Sequence, residues 1–124
     1  MSDGNNQKVL VVEDNLELLS CLGAILSSQG YQVEAKKDTV GIWQDINSFN
    51  PDLLLLDVWV KPIPGNVVAQ KLNEIEQEAV PIILISAADN LSTVAADVGV
   101  EHYLRKPFEI EQLLELVEEM VAEN

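Results

Sequence analysis

The feature that most constrains the fold is a run of four leucines that ends in an acid. Leu53 to Leu56 lead directly into Asp57, and turn residues Pro51 and Gly65 bound the stretch. A short, unbroken apolar run of this kind is typical of a strand buried on both faces of a parallel sheet. An ionised carboxylate at the end of such a strand is costly unless another group compensates its charge. Because open α/β sheets bind ligands at the carboxyl ends of their strands, we expect Asp57 to be the centre of a functional site.

Apolar strands alternate with amphipathic helices along the rest of the chain. The sequence patterns predict strands at residues 8–14, 31–35, 53–56, 81–86 and 102–104. Apolar residues at helical spacing follow each strand, with Asp38 or Thr39 capping the second helix. The third helix is expected to end near the acidic residues 74–78, and Gly99 to close a short fourth helix.

This alternation predicts one domain of the α/β class. Strict strand–helix order favours a flavodoxin-like (βα)5 fold, in which helices cover both faces of a doubly wound, five-stranded parallel sheet. We expect the domain to occupy residues 8–124, after a disordered N-terminal tail at residues 1–7.

The composition excludes several classes of partner. The net charge of −14, with only seven Lys and Arg residues, argues against direct binding to nucleic acid or to a membrane. No apolar run approaches the roughly 20 residues that span a bilayer, and the polar start lacks a signal-peptide pattern. These features predict a cytoplasmic protein. Its single cysteine, Cys21, is interpreted as a small core residue.

Polar side chains follow four of the five predicted strands. Glu13 and Asp14 end the first strand, Asp57 the third and Ser86 the fourth, and Lys106 follows the fifth. These ends share one edge of a parallel sheet, so three carboxylates, a hydroxyl and an ammonium group should converge there. Mg²⁺ prefers oxygen ligands of this kind. A carboxylate beside such a cation and a lysine suits nucleophilic capture of a phosphoryl group.

Four motifs together carry a family resemblance. The segments VVED, LLLLDV with Gly65 eight residues beyond the aspartate, ILISA and YLRKPF occur in this order on the predicted strands. The chain from about Lys8 to Ala122 resembles the receiver domain of two-component response regulators, the CheY-like superfamily. Each motif alone is weak, but their order and spacing are specific.

The resemblance implies a chemistry for the acidic edge. Asp57 would be phosphorylated by a sensor histidine kinase or a histidine phosphotransfer protein. Glu13, Asp14, Asp57 and the backbone carbonyl of Trp59 would hold Mg²⁺. Lys106 would contact the phosphoryl group, and the peptide bond before Pro107 would be cis. The chain would be a signalling module that removes its own phosphoryl group, and not a dedicated enzyme.

The resemblance also implies a switch. Ser86 would move towards the new phosphoryl group, and the ring of Tyr103 would enter the vacated space. This change would bias the surface made by the fourth helix, fifth strand and fifth helix towards a downstream protein partner or an output domain. The chain would be either a single-domain regulator or the N-terminal part of a longer one.

Two segments depart from the family pattern. A methionine and a proline commonly stand where Val60 and Lys61 stand here. Lys61 either leans towards the acidic cleft or lies in solvent, and solvent is favoured. The stretch from Ser86 to Lys106 is about two residues shorter than usual, which predicts a trimmed fourth helix. The bulk of Trp59 is expected to shield an acyl phosphate from water.

Two other function classes compete with a phosphoryl-accepting receiver. A receiver-like interaction module that no longer takes phosphate stays open because of the altered loop after Asp57. An enzyme on the same fold is disfavoured. An aspartate-nucleophile phosphatase would carry an acid where Trp59 stands, and EDNLELL lacks the small residues of a flavin phosphate loop.

Overall fold

The computed structural model describes residues 6–75 and 80–122. Within them, five strands alternate with five helices, as the sequence patterns predict. The elements in chain order are β1 (Lys8–Val12), α1 (Leu16–Ser28), β2 (Gln32–Lys36), α2 (Ile42–Phe49), β3 (Leu53–Asp57), α3 (Gly65–Ile75), β4 (Ile82–Ser86), α4 (Leu91–Asp97), β5 (His102–Arg105) and α5 (Ile110–Ala122).

All five strands form one parallel sheet in the order β2-β1-β3-β4-β5. The leucine run occupies β3 at the centre, where every residue is buried. Continuous apolar runs suit β3 and β4 because helices cover both of their faces. The edge strand β2 instead has exposed and partly buried positions, in keeping with its mixed sequence. The flavodoxin-like prediction is confirmed.

Alternate residues of the central strands build two separate cores. Leu54 and Leu56 point to the face covered by α2, α3 and α4, whose contacts include Ile42, Val68 and Leu91. Their neighbours on β3, Leu53 and Leu55, join the core of the opposite face, which α1 and α5 supply. The period of two along each strand thus places one helical layer on each side of the sheet.

Some predicted boundaries shift in the structure. β1 ends at Val12, so Glu13 and Asp14 begin the connection to α1 and do not end the strand. The prediction that Asp38 or Thr39 caps α2 is wrong. Gly41, with a positive φ, precedes this helix, which leaves Thr39 free to bond elsewhere.

Some of the sequence-based predictions fall on residues outside the described ranges. These are most of the expected tail, residues 1–5, and most of the acidic stretch at the end of α3, residues 76–78. Gln7, the last residue of the expected tail, is described: its side-chain amide donates to the carbonyl of Val121 at 3.1 Å.

Three apolar or weakly polar side chains are more exposed than their helical patterns predicted. Cys21 is exposed, so its interpretation as a core residue is wrong. Leu16, the first residue of α1, and Ile75, the last residue of α3, are also exposed. In residues 6–75 and 80–122, no helix has the length and apolar character needed to cross a membrane.

Candidate functional site

Asp57 lies at the carboxyl end of β3 with only 1% of its surface exposed. Its Oδ1 atom accepts a hydrogen bond from the backbone amide of Trp59 at 2.9 Å. Its Oδ2 atom lies 3.1 Å from Nζ of Lys106. Both carboxylate oxygens therefore have a donor, which compensates the burial of an ionised acid at the end of an apolar strand.

Glu13 lies beside Asp57 and is fully buried. Its Oε2 atom accepts from the backbone amide of Asn15 at 3.0 Å. Its Oε1 atom lies 2.9 Å from Nζ of Lys106 in an ion pair. One lysine thus bridges two buried carboxylates.

Burial and the contacts between Glu13 and Lys106 shift the pKa of each of these two residues in opposite directions. Burial raises the pKa of Glu13 to about 7, and the Asp57 carboxylate adds to the rise, while the Asn15 amide and Lys106 lower it. Burial lowers the pKa of Lys106, but its bonds to Glu13 and Asp57 outweigh burial and raise that pKa overall. The cluster therefore carries more negative charge than one ammonium group balances.

Three carboxylates at this edge are close enough to share a cation. Oxygens of Glu13, Asp14 and Asp57 lie within 4.8 Å of one another, and Asp14 is exposed at the mouth of the cluster. Mg²⁺ prefers carboxylate and water oxygens. The residues fit such an ion, since the cluster places three carboxylates against one ammonium group and is open to solvent at Asp14.

Gly65 determines how closely the chain returns to Asp57. Its amide donates to the carbonyl of Val58 at 2.9 Å, and a Cβ atom at this position would lie 2.1 Å from the carbonyl oxygen of Asp57. No side chain fits there. Its place in the sequence motif was recognised, but the reason for a glycine appears only when α3 packs against the end of β3.

The expected switch residues lie on β4 and β5, the strands that follow β3 in the order of the sheet. Ser86 is buried, and its Oγ atom accepts from the amide of Ala88 at 3.1 Å. The backbone amide of Lys106 donates to the carbonyl of Ser86 at 2.8 Å, which joins the ends of β4 and β5. Tyr103 points outward with 41% of its surface exposed.

The loop after β3 holds the remaining predicted residues. Trp59 is 57% exposed beside the cluster. Lys61 is exposed, in agreement with the interpretation that it lies in solvent. The Lys106–Pro107 peptide bond is cis, as the resemblance implied, and so is Lys61–Pro62, which the sequence reasoning missed.

Sequence reasoning also missed the role of Thr39, which it named only as a helix cap. The residue is buried, and its backbone amide and hydroxyl bond to the loop after β3 at Lys61 and Ile63. No sequence signal connects residues so far apart in the chain.

A family model for the response regulator receiver domain matches residues 9–118. The chain belongs to this family. The receiver domain is 37% identical over 109 residues to the response regulator MprA of Mycobacterium ulcerans and of Mycobacterium tuberculosis. Each match covers 86% of this chain and 47% of the relative, so the chain spans about half the length of the curated relatives it matches.

Solved structures give the same fold. A putative response regulator from Chloroflexus aurantiacus matches at 26% identity with a TM-score of 0.83, covering 94% of this chain and 98% of that one. The N-terminal domain of the nisin resistance regulator NsrR matches at 26% identity and a TM-score of 0.80, covering 93% and 97%. The activated receiver domain of Klebsiella pneumoniae RstA, at 23% identity over 93% and 98% of the two chains, supports the fold alone with a TM-score of 0.84. The chain is a response regulator receiver domain, and therefore a signalling module, not a dedicated enzyme.

Proposed function

We propose that this receiver domain accepts a phosphoryl group on Asp57 in a Mg²⁺-dependent reaction. The donor is the phosphohistidine of a sensor histidine kinase or of a histidine phosphotransfer protein. The observation that carries the proposal is the pairing of a single Lys106 with two buried carboxylates, Glu13 and Asp57, at an edge open to solvent through Asp14.

The residues of this chain prepare a carboxylate for nucleophilic attack. The Trp59 amide and Lys106 each contact one oxygen of the Asp57 carboxylate and hold it in one orientation. An Asp57 oxygen forms a bond to phosphorus as the phosphorus–nitrogen bond of the donor breaks, and the imidazole nitrogen keeps the electron pair. Lys106 then balances charge on the transferred phosphoryl oxygens.

Glu13, Asp14, Asp57 and the backbone carbonyl of Trp59 are proposed to hold Mg²⁺. The ion would supply positive charge to the phosphoryl oxygens and reduce repulsion between them and the acidic cluster. The chain contributes the acidic oxygens, including Oε1 of Glu13, which shares the Lys106 ammonium group with Asp57.

Ser86 and Tyr103 are proposed to report phosphorylation to the surface formed by α4, β5 and α5. Because Oγ of Ser86 accepts from Ala88, its own proton is available for a phosphoryl oxygen. Movement of Ser86 towards that oxygen makes room for the outward-facing ring of Tyr103. A downstream protein partner or an output domain would read the changed surface.

The remaining parts of the proposal concern the lifetime of phosphorylated Asp57 and the place where the domain works. We propose that water removes the phosphoryl group from Asp57 without another enzyme, at a rate limited by the bulk of Trp59 beside the site. We also propose that the domain works in the cytoplasm, with protein partners and without direct contact with nucleic acid or membrane, since its net charge is −14.

The deciding experiment is intact-mass measurement after incubation with a small acyl phosphate, with and without Mg²⁺. We expect one added phosphoryl group only when Mg²⁺ is present, and none on Asp57→Asn. Asp52→Asn is the matched control, since Asp52 lies one strand-length before Asp57 and should leave phosphorylation intact. A wild-type chain that gains no mass and binds no Mg²⁺ would instead support the phosphorylation-independent interaction module.

A further inference from the structure

We propose that Thr39 is a positioning residue for phosphorylation of Asp57. Thr39 precedes α2, and its amide and hydroxyl bond to the loop at residues 58–64, which begins directly after Asp57. The inference rests on the proposed function. The buried hydroxyl of Thr39, which lies between β2 and α2, fixes the shape of the loop that follows β3.

The contacts of Thr39 resemble a short strand pairing. Its backbone amide donates to the carbonyl of Lys61 at 2.9 Å. Its hydroxyl donates to the carbonyl of Ile63 at 2.9 Å and accepts from the amide of the same residue at 2.7 Å. One hydroxyl therefore satisfies both backbone polar groups of Ile63, and only 1% of the Thr39 surface is exposed.

Thr39 is itself held firmly by its neighbours. Its carbonyl accepts from the amide of Ile42 at the start of α2. The next residue, Val40, donates its amide to the Asp38 carboxylate and accepts at its carbonyl from Nζ of Lys36. The segment before α2 is thus a fixed support from which Thr39 reaches the loop.

The same loop positions atoms of the phosphorylation site. At its start, the Trp59 amide donates to Oδ1 of Asp57, and Val60 is buried in the core. At its end, Gly65 returns to the carbonyl of Val58. Between these anchors, Thr39 makes the contacts to Lys61 and Ile63. Without the hydroxyl, the middle of the loop loses two hydrogen bonds, and the Trp59 amide and carbonyl become less well oriented.

The test uses isosteric exchange at Thr39. Thr39→Val keeps the shape and removes the hydroxyl, whereas Thr39→Ser keeps the hydroxyl. We measure the initial rate of phosphorylation by a small acyl phosphate across a Mg²⁺ titration, using intact mass. We expect Thr39→Val to be slower by about five- to tenfold below saturating Mg²⁺ and to need more Mg²⁺ for half-maximal rate. Thr39→Ser should stay within about twofold of wild type.

Two matched controls separate positioning from loss of stability. Thr93→Val makes the same chemical change on an exposed residue of α4 and should leave the rate unchanged. Ile63→Ala removes a side chain that packs against the core but keeps both backbone bonds to Thr39. It should lower stability to urea without changing the Mg²⁺ dependence. If Ile63→Ala shifts that dependence as much as Thr39→Val does, Thr39 acts only through stability and the inference fails.

The outcomes distinguish the two levels of proposal. A wild-type chain that takes no phosphoryl group overturns the proposed function and this inference together. A phosphorylated wild type with an equally fast Thr39→Val overturns the role of Thr39 alone. If Thr39→Val does not fold, amide hydrogen exchange of the wild type decides. Slow exchange at Ile63 that becomes slower with Mg²⁺ supports the inference, and exchange at the rate of an unstructured amide overturns it.

Discussion

The site has two halves, which differ in how many of the contacts needed for their proposed roles are already formed. The acceptor half, defined as Glu13, Asp57 and Lys106, already has its ion pairs and its hydrogen bonds to the backbone. The switch half, defined as Ser86 and Tyr103, does not. Ser86 bonds to the neighbouring Ala88, and the Tyr103 ring is 41% exposed.

This difference implies that phosphoryl transfer needs little rearrangement of the site, whereas signalling needs more. The acceptor groups lie at or directly after the ends of β1, β3 and β5 and already contact one another, so little ordering is needed when a phosphoryl donor arrives. The switch groups must move, and only an interaction that is better in the moved state can shift that equilibrium. Substitutions in each half test whether phosphoryl transfer and switching can be changed independently.

The largest loss of stability is expected for Gly65→Ala, which places a Cβ atom against the backbone of Asp57 in the acceptor half. A Cβ atom would lie 2.1 Å from the Asp57 carbonyl oxygen, so β3 and α3 must move apart. We expect a loss of ~3 kcal/mol in the free energy of unfolding, measured by urea titration.

The control for this change is Gly23→Ala in α1. A Cβ atom there meets no other atom within 4 Å, and alanine favours a helix over glycine, so a small gain in stability is expected. Equal stabilities of Gly65→Ala and wild type would show that the close approach to Asp57 is not required.

The next effect concerns the lysine shared by the two buried acids. Lys106→Met leaves Glu13 and Asp57 without a cation, and removal of one partner from a buried ion pair is costly. Since Lys106 is partly exposed, we expect a loss of ~2 kcal/mol in the free energy of unfolding at pH 8 in a chelator. Its neighbour Arg105 pairs with Asp89 in solvent, so Arg105→Met should change stability by less than about 0.5 kcal/mol. Similar losses in both variants would contradict the special role of Lys106.

A pH profile tests the acid that Lys106 only partly balances. Burial raises the pKa of Glu13 from 4.5 to about 7. Between these values the folded chain binds a proton that the unfolded chain has released, so this contribution to stability decreases as pH rises. Its slope is up to about 1.4 kcal/mol per pH unit. We expect Glu13→Gln to remove the slope, measured in a chelator.

An exposed acid provides the reference for this profile. Glu17→Gln, on the first turn of α1, should keep the wild-type slope. A slope of the same size in Glu13→Gln would mean that another group causes it.

How much the sequence could predict depends on whether the position of a residue follows from the order of the strands. The sheet and the acidic edge were predictable because long-range order in a parallel sheet places Glu13, Asp57, Ser86 and Lys106 together once the strands are recognised. The contacts of Thr39 and the fit of Gly65 were not. They depend on how two loops pack in three dimensions, which leaves no periodic signal along the chain. The exposure of Cys21 was missed for a related reason, since one helical position decides which face a residue joins.

A smaller effect is expected at the mouth of the acceptor half. Trp59→Ala removes an indole that is 57% exposed beside Asp57, so water reaches the acyl phosphate more easily. We expect the rate of phosphoryl loss to rise about threefold to tenfold, followed by intact mass after the donor is removed. Trp43→Ala, an exposed indole on α2, is the control and should keep the wild-type lifetime. An unchanged lifetime in Trp59→Ala would remove the shielding role.

The smallest effect on stability, and the sharpest test of the division, is expected for Ser86→Ala. The change removes one acceptor for the Ala88 amide and should cost only about 1 kcal/mol in the free energy of unfolding. Phosphorylation of Asp57 should continue, because the Trp59 amide and Lys106 hold the carboxylate, whereas the Ser86 hydroxyl bonds to the Ala88 amide. The phosphorylated variant should, however, lose the change in the environment of Tyr103.

That change can be followed by NMR of fluorinated tyrosine. The chain has two tyrosines, and buried Tyr31 serves as an internal reference for the exposed Tyr103. In wild type we expect the Tyr103 signal to shift on phosphorylation while Tyr31 stays constant. If Ser86→Ala shifts the Tyr103 signal as far as wild type does, the ring responds to Asp57 by a route that does not pass through Ser86. The two halves would then be joined by the backbone link between Lys106 and residue 86, whose side chain would be irrelevant to the switch.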